Sequence, residues 1–262
     1  MVFLFFGVAF LASVIGAICG IGGGVIIKPV LDMLQMGEPD AIHFLSGCTV
    51  LLMSLYSVIH TMRAKDDRIE TSIVTPLALG AALGGVAGKE VISAVRAFFG
   101  GSPAVVGIQA VALGFVTLAT LLYTLNKSRI RTRNISNKAL CALIGLLLGG
   151  LSSFLGIGGG PINLMVLSFL FGMDTKTAAA NSLYVIFFSQ SANLLAAIAT
   201  GSVPAFGGGV LALMAAGGIF GGLAGRKLNR KMDNRAVDRL FAGLMVLIIG
   251  ICLYNAILAF TA

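Results

Sequence analysis

Two stretches, Gly20–Gly24 within "CGIGGGV" and Gly156–Gly160 within "LGIGGGP", place three consecutive glycines inside otherwise apolar sequence, 136 residues apart. Glycine there weakens a helix, but it lets the backbone adopt positive φ and approach a ligand closely, leaving N–H groups for it. Each run is followed by neutral hydrogen-bonding side chains. After the first come Ser46, Thr49, Ser54, Ser57 and His60; after the second come Asn181, Ser182, Ser189, Gln190, Ser191 and Asn193. Ser46, Thr49, Ser57 and His60 are spaced by three, eight and three, and Ser182, Gln190 and Asn193 by eight and three, spacings that can keep side chains on one helical face. Backbone N–H groups, hydroxyls and amides can surround a small oxyanion without the cost of burying a fixed charge. This is binding chemistry. No paired carboxylates, no nucleophile–base pair and no His/Cys cluster appear, so the pattern offers no enzyme chemistry and calls for no cofactor or metal.

Each of these residues also has a plainer reading. Glycine in membrane helices allows close packing, which suits Gly80, Gly84, Gly85 and Gly88; the duplicated triplets read better as a site. Serine in such helices commonly bonds its own backbone, and Ser46, Asn181 and Ser182, at the start of their segments, are the stronger site candidates. Among ionisable groups, His60 reads as interfacial before it reads as a proton relay. Lys28 reads equally as an interfacial anchor or as an attractor of anions. Asp32 is the one acid away from an obvious segment end. These three are candidates for gating or coupling.

Positioning such groups requires elements, and composition decides which. Of 262 residues, 58% are hydrophobic and 11% charged, with a mean hydropathy of +1.01. Ordinary soluble domains carry about 25% charged residues. Several apolar runs approach the roughly 20 residues that cross a bilayer, and none shows the alternating ten-residue pattern of a membrane β-barrel. The chain reads as an all-α polytopic membrane protein. Its net charge of +8 sits in short loops, where it marks topology, not nucleic acid. Cys19, Cys48, Cys141 and Cys252 lie in apolar segments and read as buried small hydrophobes. The first segment lacks a basic leader and reads as a retained helix.

Self-similarity organises the rest. "AICGIGGGVIIKPVL" aligns with "SFLGIGGGPINLMVL" at an offset of 136, which also places Ser46 on Ser182; "LGGVAGKEV" matches "FGGLAGRKL" at 137. The chain divides into related halves, 1–130 and 131–262, each with five apolar segments: Val2–Cys19, Val25–Met36, Ile42–Met62, Ser72–Ile92 and Val105–Leu125, then Ala139–Ile157, Pro161–Phe171, Ala178–Thr200, Ala205–Gly225 and Asp238–Phe260. The second of each five, at about 12 residues, is less than a full crossing, so the chain reads as 8–10 transmembrane helices broken at GIGGG, either ten or eight plus two re-entrant hairpins of the same parity. Basic residues crowd the loops after odd-numbered segments, such as Arg63, Lys65 and Arg68, the run Lys127 to Lys138, and Arg226 to Arg235. The positive-inside rule puts these in the cytoplasm and both termini outside it, in the inner (cytoplasmic) cell membrane. An odd number of segments per half inverts the second half relative to the first. Inverted repeats interrupted by Gly/Pro at matching positions are a recurrent plan of secondary transporters, with the site at the breaks.

The "GIGGG" closing the first segment, its duplicate "GIGGGP" after a basic central loop, and the "GGxAG" tips resemble the sulfite exporter TauE/SafE family of membrane transporters, over essentially the whole chain. The resemblance implies transport, chiefly export, of small sulfur-containing or organic anions such as sulfite, sulfoacetate and related sulfonates. Its motif falls on Gly20, Gly22, Gly23 and Gly24 and on Gly156, Gly158, Gly159 and Gly160. Pro29 follows the first triplet by five residues and Pro161 the second directly, so the two sites are unequal. Partners are then a small anion and the lipid bilayer; a homodimer is compatible with the chain, though no residue establishes it. A membrane-embedded enzyme or a non-transporting subunit of a complex is the alternative reading.

Overall fold

The computed structural model describes residues 2–63, 68–98, 103–155 and 159–261. They form ten α-helices: α1 (Val2–Cys19), α2 (Gly24–Met33), α3 (Pro39–Arg63), α4 (Thr71–Phe98), α5 (Pro103–Asn126), α6 (Lys138–Leu155), α7 (Gly160–Phe171), α8 (Thr175–Ala199), α9 (Gly208–Lys231) and α10 (Asn234–Thr261). No strand occurs among the described residues. Seven of these helices are long and apolar enough to cross a bilayer, while α1 and α7 are shorter apolar helices. Hydrocarbon offers no partner to a backbone N–H or C=O, so only a helix satisfies such segments internally. The chain is a multi-pass helical membrane protein, as its composition requires.

The helices match the ten apolar segments one for one, and they differ at the ends. α4 continues to Phe98, beyond Ile92, and α9 runs from Gly208 to Lys231 where hydropathy marks Ala205–Gly225. Backbone hydrogen bonding does not stop where apolar side chains do, and Arg230 and Lys231 suit the negative end of the α9 dipole. At the start of α8, Asp174 accepts a hydrogen bond from the Thr177 N–H and another from Asn234. Partial burial pushes its carboxyl upward, but the hydrogen bonds prevail and hold it below the usual carboxylate value.

The packing repeats itself with the halves exchanged. α1, the first helix of its half, packs on α9, the fourth of the other; α6 packs likewise on α4, and α3 lies against α8 and α5 against α10. Glycines set these contacts. A methyl group on Gly80 or Gly84 of α4 would overlap the carbonyls of Ala142 and Leu146, and one on Gly221 or Gly225 of α9 would overlap those of Phe10 and Val14. Buried polar side chains gather on α3 and α8. Large apolar residues such as Phe115 and Leu195 are exposed on the outside, where lipid is the natural solvent.

Candidate functional site

The first glycine run is a turn clasped between α3 and α8. α1 ends with Gly20 at φ 76°, and the Ile21 N–H donates to the Gly16 carbonyl at 3.1 Å, the reverse turn that terminates many helices. A β-carbon on Gly20 would overlap the backbone of Ala179 in α8. Gly22, at φ 71°, faces both central helices: its β-carbon would lie 3.2 Å from Val50 and 3.4 Å from Ile186. Gly23 precedes α2, accepting hydrogen bonds from the Ile26 and Ile27 N–H groups, and Gly24 opens the helix, buried.

The second run meets the first. Gly159 has φ 106° and precedes α7; Pro161 in the first turn of that helix lacks an N–H that would have no partner there. A methyl group on Gly160 would overlap the Val25 side chain and sit 3.3 Å from the Ile21 carbonyl oxygen. The two turns are thus in direct contact, each opening a short helix. Gly156 and Gly158 of the motif, like Lys65 in the α3–α4 loop, lie outside the described residues.

Three buried polar groups surround these turns without protein partners. Ser182 is 0% exposed and its hydroxyl is unbonded. It stands on α8 three residues after Ala179, which touches Gly20, and four before Ile186, which touches Gly22, so all three share a face. Ser13 of α1 puts its hydroxyl 3.2 Å from where a Gly23 β-carbon would be, and Asn163 of α7 packs on Gly159. The Ser13 hydroxyl and the Asn163 carbonyl oxygen are also buried and unpaired. Buried polar groups are nearly always hydrogen-bonded, so such a concentration calls for a reason. Ser46, the counterpart of Ser182, is buried as well. Asn181, by contrast, is fully engaged: its amide donates to the Arg68 and Thr177 carbonyls at 2.7 and 2.8 Å and accepts from the Glu70 N–H at 3.0 Å. It ties the α3–α4 loop to α8. Thr49 and Ser57 bond carbonyls of their own helix.

A cavity of about 440 Å³ opens at the end of the bundle that carries the start of α3 and the end of α8. It is lined by Lys28, His43, Gly47, Lys89, Gln190 and Asn193, among others. The Asn193 carbonyl oxygen is buried and unpaired. Lys28 in the cavity wall is ion-paired with Asp32 at 2.9 Å. Gly47 stands three residues before Val50, and Gln190 four after Ile186. The cavity therefore reaches within about one helical turn, some 5 Å, of the residues that cover Gly22. Beyond it, Val50 and Ile186 join Ala17, Met53 and Leu183 in a closed apolar cluster. A second, small cavity of about 40 Å³ lies on the far side of that cluster, at the opposite end of the bundle.

Of the residues singled out from sequence, the structure brings Lys28, Gln190 and Asn193 to one cavity and Ser182 to the glycine turns. His60 does neither; it is exposed in the last turn of α3, its ring 4.3 Å from that of Tyr56. The residues missed are Ser13, His43, Gln109, Ser153 and Asn163, together with a cavity role for Lys89. Ser13 and Asn163 could have been found by asking for every polar residue inside an apolar segment, not only those in the third of each half.

The family model for "Sulfite exporter TauE/SafE" matches residues 5–252. The chain belongs to the TauE/SafE family. It is similar to a protein named probable membrane transporter protein in Methanocaldococcus jannaschii, 28% identical over 191 residues, covering 68% of this chain and 66% of that one, just under two thirds. It is also similar to probable membrane transporter protein YunE of Bacillus subtilis, 23% identical over 265 residues, covering 91% of this chain and 92% of that one. No solved structure matches it.

Proposed function

We propose that the protein is a secondary transporter of small sulfur-containing or organic anions, such as sulfite, sulfoacetate or related sulfonates, working by alternating access and in the direction of export. The observation that carries this reading is the meeting of two glycine turns at the middle of the bundle beside the unbonded, fully buried hydroxyl of Ser182. A hydroxyl donor and two positive-φ glycine turns that each open a short helix at its N-terminus suit an oxyanion. Family membership and the relatives support the transporter class. The halves 1–130 and 131–262 are read as inverted repeats, consistent with the exchange of packing partners between them.

In this reading the ends of α3 and α9, with Arg63, Arg226, Arg230 and Lys231, face the cytoplasm, and the large cavity opens on the other side. The anion passes Gln190 and Asn193 between the cavity and the turns. An inside-negative potential drives a monovalent anion outward by about 2.3 kcal/mol per 100 mV, so export needs no coupling ion. The test is uptake of sulfite and sulfoacetate by proteoliposomes. Saturable flux is expected, with Ser182→Ala raising the half-saturation concentration about tenfold, the loss of one hydrogen bond to a charged ligand. Saturable flux that Ser182→Ala leaves unchanged removes the glycine turns as the site; no flux of any anion in a wider panel removes the transporter reading.

A further inference from the structure

Nine of the described residues that line the small cavity at the cytoplasmic end correspond to residues that line the large one. Shifting numbers by 136 carries Ser57 to Asn193, Thr61 to Ala197, Lys176 to Asp40, Ala179 to His43 and Leu183 to Gly47; shifting by 137 carries Arg226 to Lys89. Ala17 and Ser153, Arg68 and Pro204, and Ala180 and Phe44 complete the match. Both members of every pair line a cavity, one at each end of the bundle, yet the volumes are about 40 and 440 Å³. Resting on the transport reading above, we infer that the small cavity is the second, closed mouth of the same path, an anion-docking site at the cytoplasmic end that opens as the large cavity closes.

What shuts it is visible. Between the two cavities the apolar cluster is lopsided: Ala17, Met53 and Leu183 fill the cytoplasmic side, while their counterparts by the same shift are Ser153, Ser189 and Gly47. Around the closed mouth three side chains bridge different helices. Arg226 of α9 donates to the Ser57 carbonyl of α3 at 3.1 Å, Asn229 of α9 to the Ile18 carbonyl of α1 at 2.6 Å, and Asn181 of α8 holds Arg68 and Glu70 in the α3–α4 loop. At the open mouth the equivalent of Asn181 is Leu45, which offers no such bond, and Lys89 reaches Ser202 only at 3.5 Å. The Asn181 tie thus has no mate at the open mouth, where Ser153 of α6 donates to the Gly85 carbonyl of α4 and Gln109 of α5 to the Phe154 carbonyl of α6, both at 2.6 Å; the cytoplasmic mouth is the one that is shut in this structure. Arg68, Lys176, Arg226 and Arg230 line this mouth with no carboxylate among the described lining residues, whereas Asp40 lines the other. A small anion is the ligand such a wall admits.

The experiment labels single cysteines in the full chain with a membrane-impermeant maleimide, in vesicles of both orientations, against the background of the native thiols. Ser57→Cys reports the closed mouth, where Ser57 is buried, and Asn193→Cys, at the paired and half-buried position, the open one. In the otherwise native chain Asn193→Cys reacts and Ser57→Cys does so at least tenfold more slowly. Adding Asn181→Ala reverses the pair: Ser57→Cys speeds about tenfold and Asn193→Cys slows. Sulfoacetate or sulfate then slows the labelling of Ser57→Cys. Faster Ser57→Cys with unchanged Asn193→Cys means local fraying of a fixed cavity and overturns the inference, as does labelling that no anion slows. Where Asn181→Ala fails to fold, by monodispersity in detergent, Asn229→Ala replaces it with the same expectation. Reciprocal labelling without sulfite flux leaves the two-mouthed path and discards the substrate; saturable flux without reciprocity does the opposite.

Discussion

Gly160 begins α7 where a side chain would run into Val25, the second residue of α2. The obstacle is the end of a side chain and not backbone, since the Val25 β-carbon and the Ile21 oxygen stand at 3.6 and 3.3 Å from the β-carbon position. Gly160→Ala should therefore cost about 1–3 kcal/mol through overpacking, and adding Val25→Ala should recover most of it. Thermal melting of the two single variants and the double variant in detergent measures the coupling; purely additive losses would show that the two turns do not touch. Gly20→Ala is different, because it meets the Ala179 backbone and a positive φ together, and no single partner change rescues it. At this scale the sequence revealed a good deal: the duplicated triplets, Ser182 and the cavity residues Gln190 and Asn193 stand out as polar or flexible groups in apolar surroundings. The bonds of Asn181 to the backbone of Arg68 and Glu70 are not legible in sequence, because those partners are more than a hundred residues away and no local pattern records them. His43 was overlooked since it sits next to the acidic start of α3, where a histidine looks like ordinary loop polarity.

At the scale of elements, the ten helices follow from hydropathy alone, because in lipid the helix is the only way to pair the backbone. The pairing of α1 with α9 and α4 with α6 was not readable in that way. It rests on which glycine meets which carbonyl, and the 35 glycines of the chain offer many combinations. The fourth-residue spacing of Gly80, Gly84 and Gly88, repeated at Gly217, Gly221 and Gly225, marks the face, while the partner emerges only in three dimensions. A pair of substitutions separates packing glycines from idle ones. Gly145→Ala places a methyl group on the Leu77 carbonyl, with backbone on both sides and nothing able to move, whereas Gly250→Ala meets nothing within 4 Å. The first should lower the melting temperature by the equivalent of at least about 2 kcal/mol, and the second should leave it unchanged or raise it slightly, as alanine is the better helix former. Equal effects would contradict the packing of α4 on α6.

At the scale of the whole molecule, two unequal cavities lie at opposite ends of the bundle. The unequal volumes fall on matched residues, and the differences between mates explain them: Leu183 against Gly47, Met53 against Ser189, Asn181 against Leu45. Sequence comparison of the halves could locate these differences but not say that they face one another across a closed apolar cluster. The central claim is that an anion is carried, not merely let through. Counterflow tests it most directly: proteoliposomes loaded with unlabelled sulfite are diluted into a trace of radiolabelled sulfite at zero membrane potential, and uptake of label is compared with that of empty vesicles. A carrier whose two mouths open in turn should take up label severalfold faster in loaded vesicles, with an overshoot, and the stimulation should saturate with internal sulfite. Uptake that is the same with and without internal sulfite, and linear in external concentration, would mean an open pore and contradict the account.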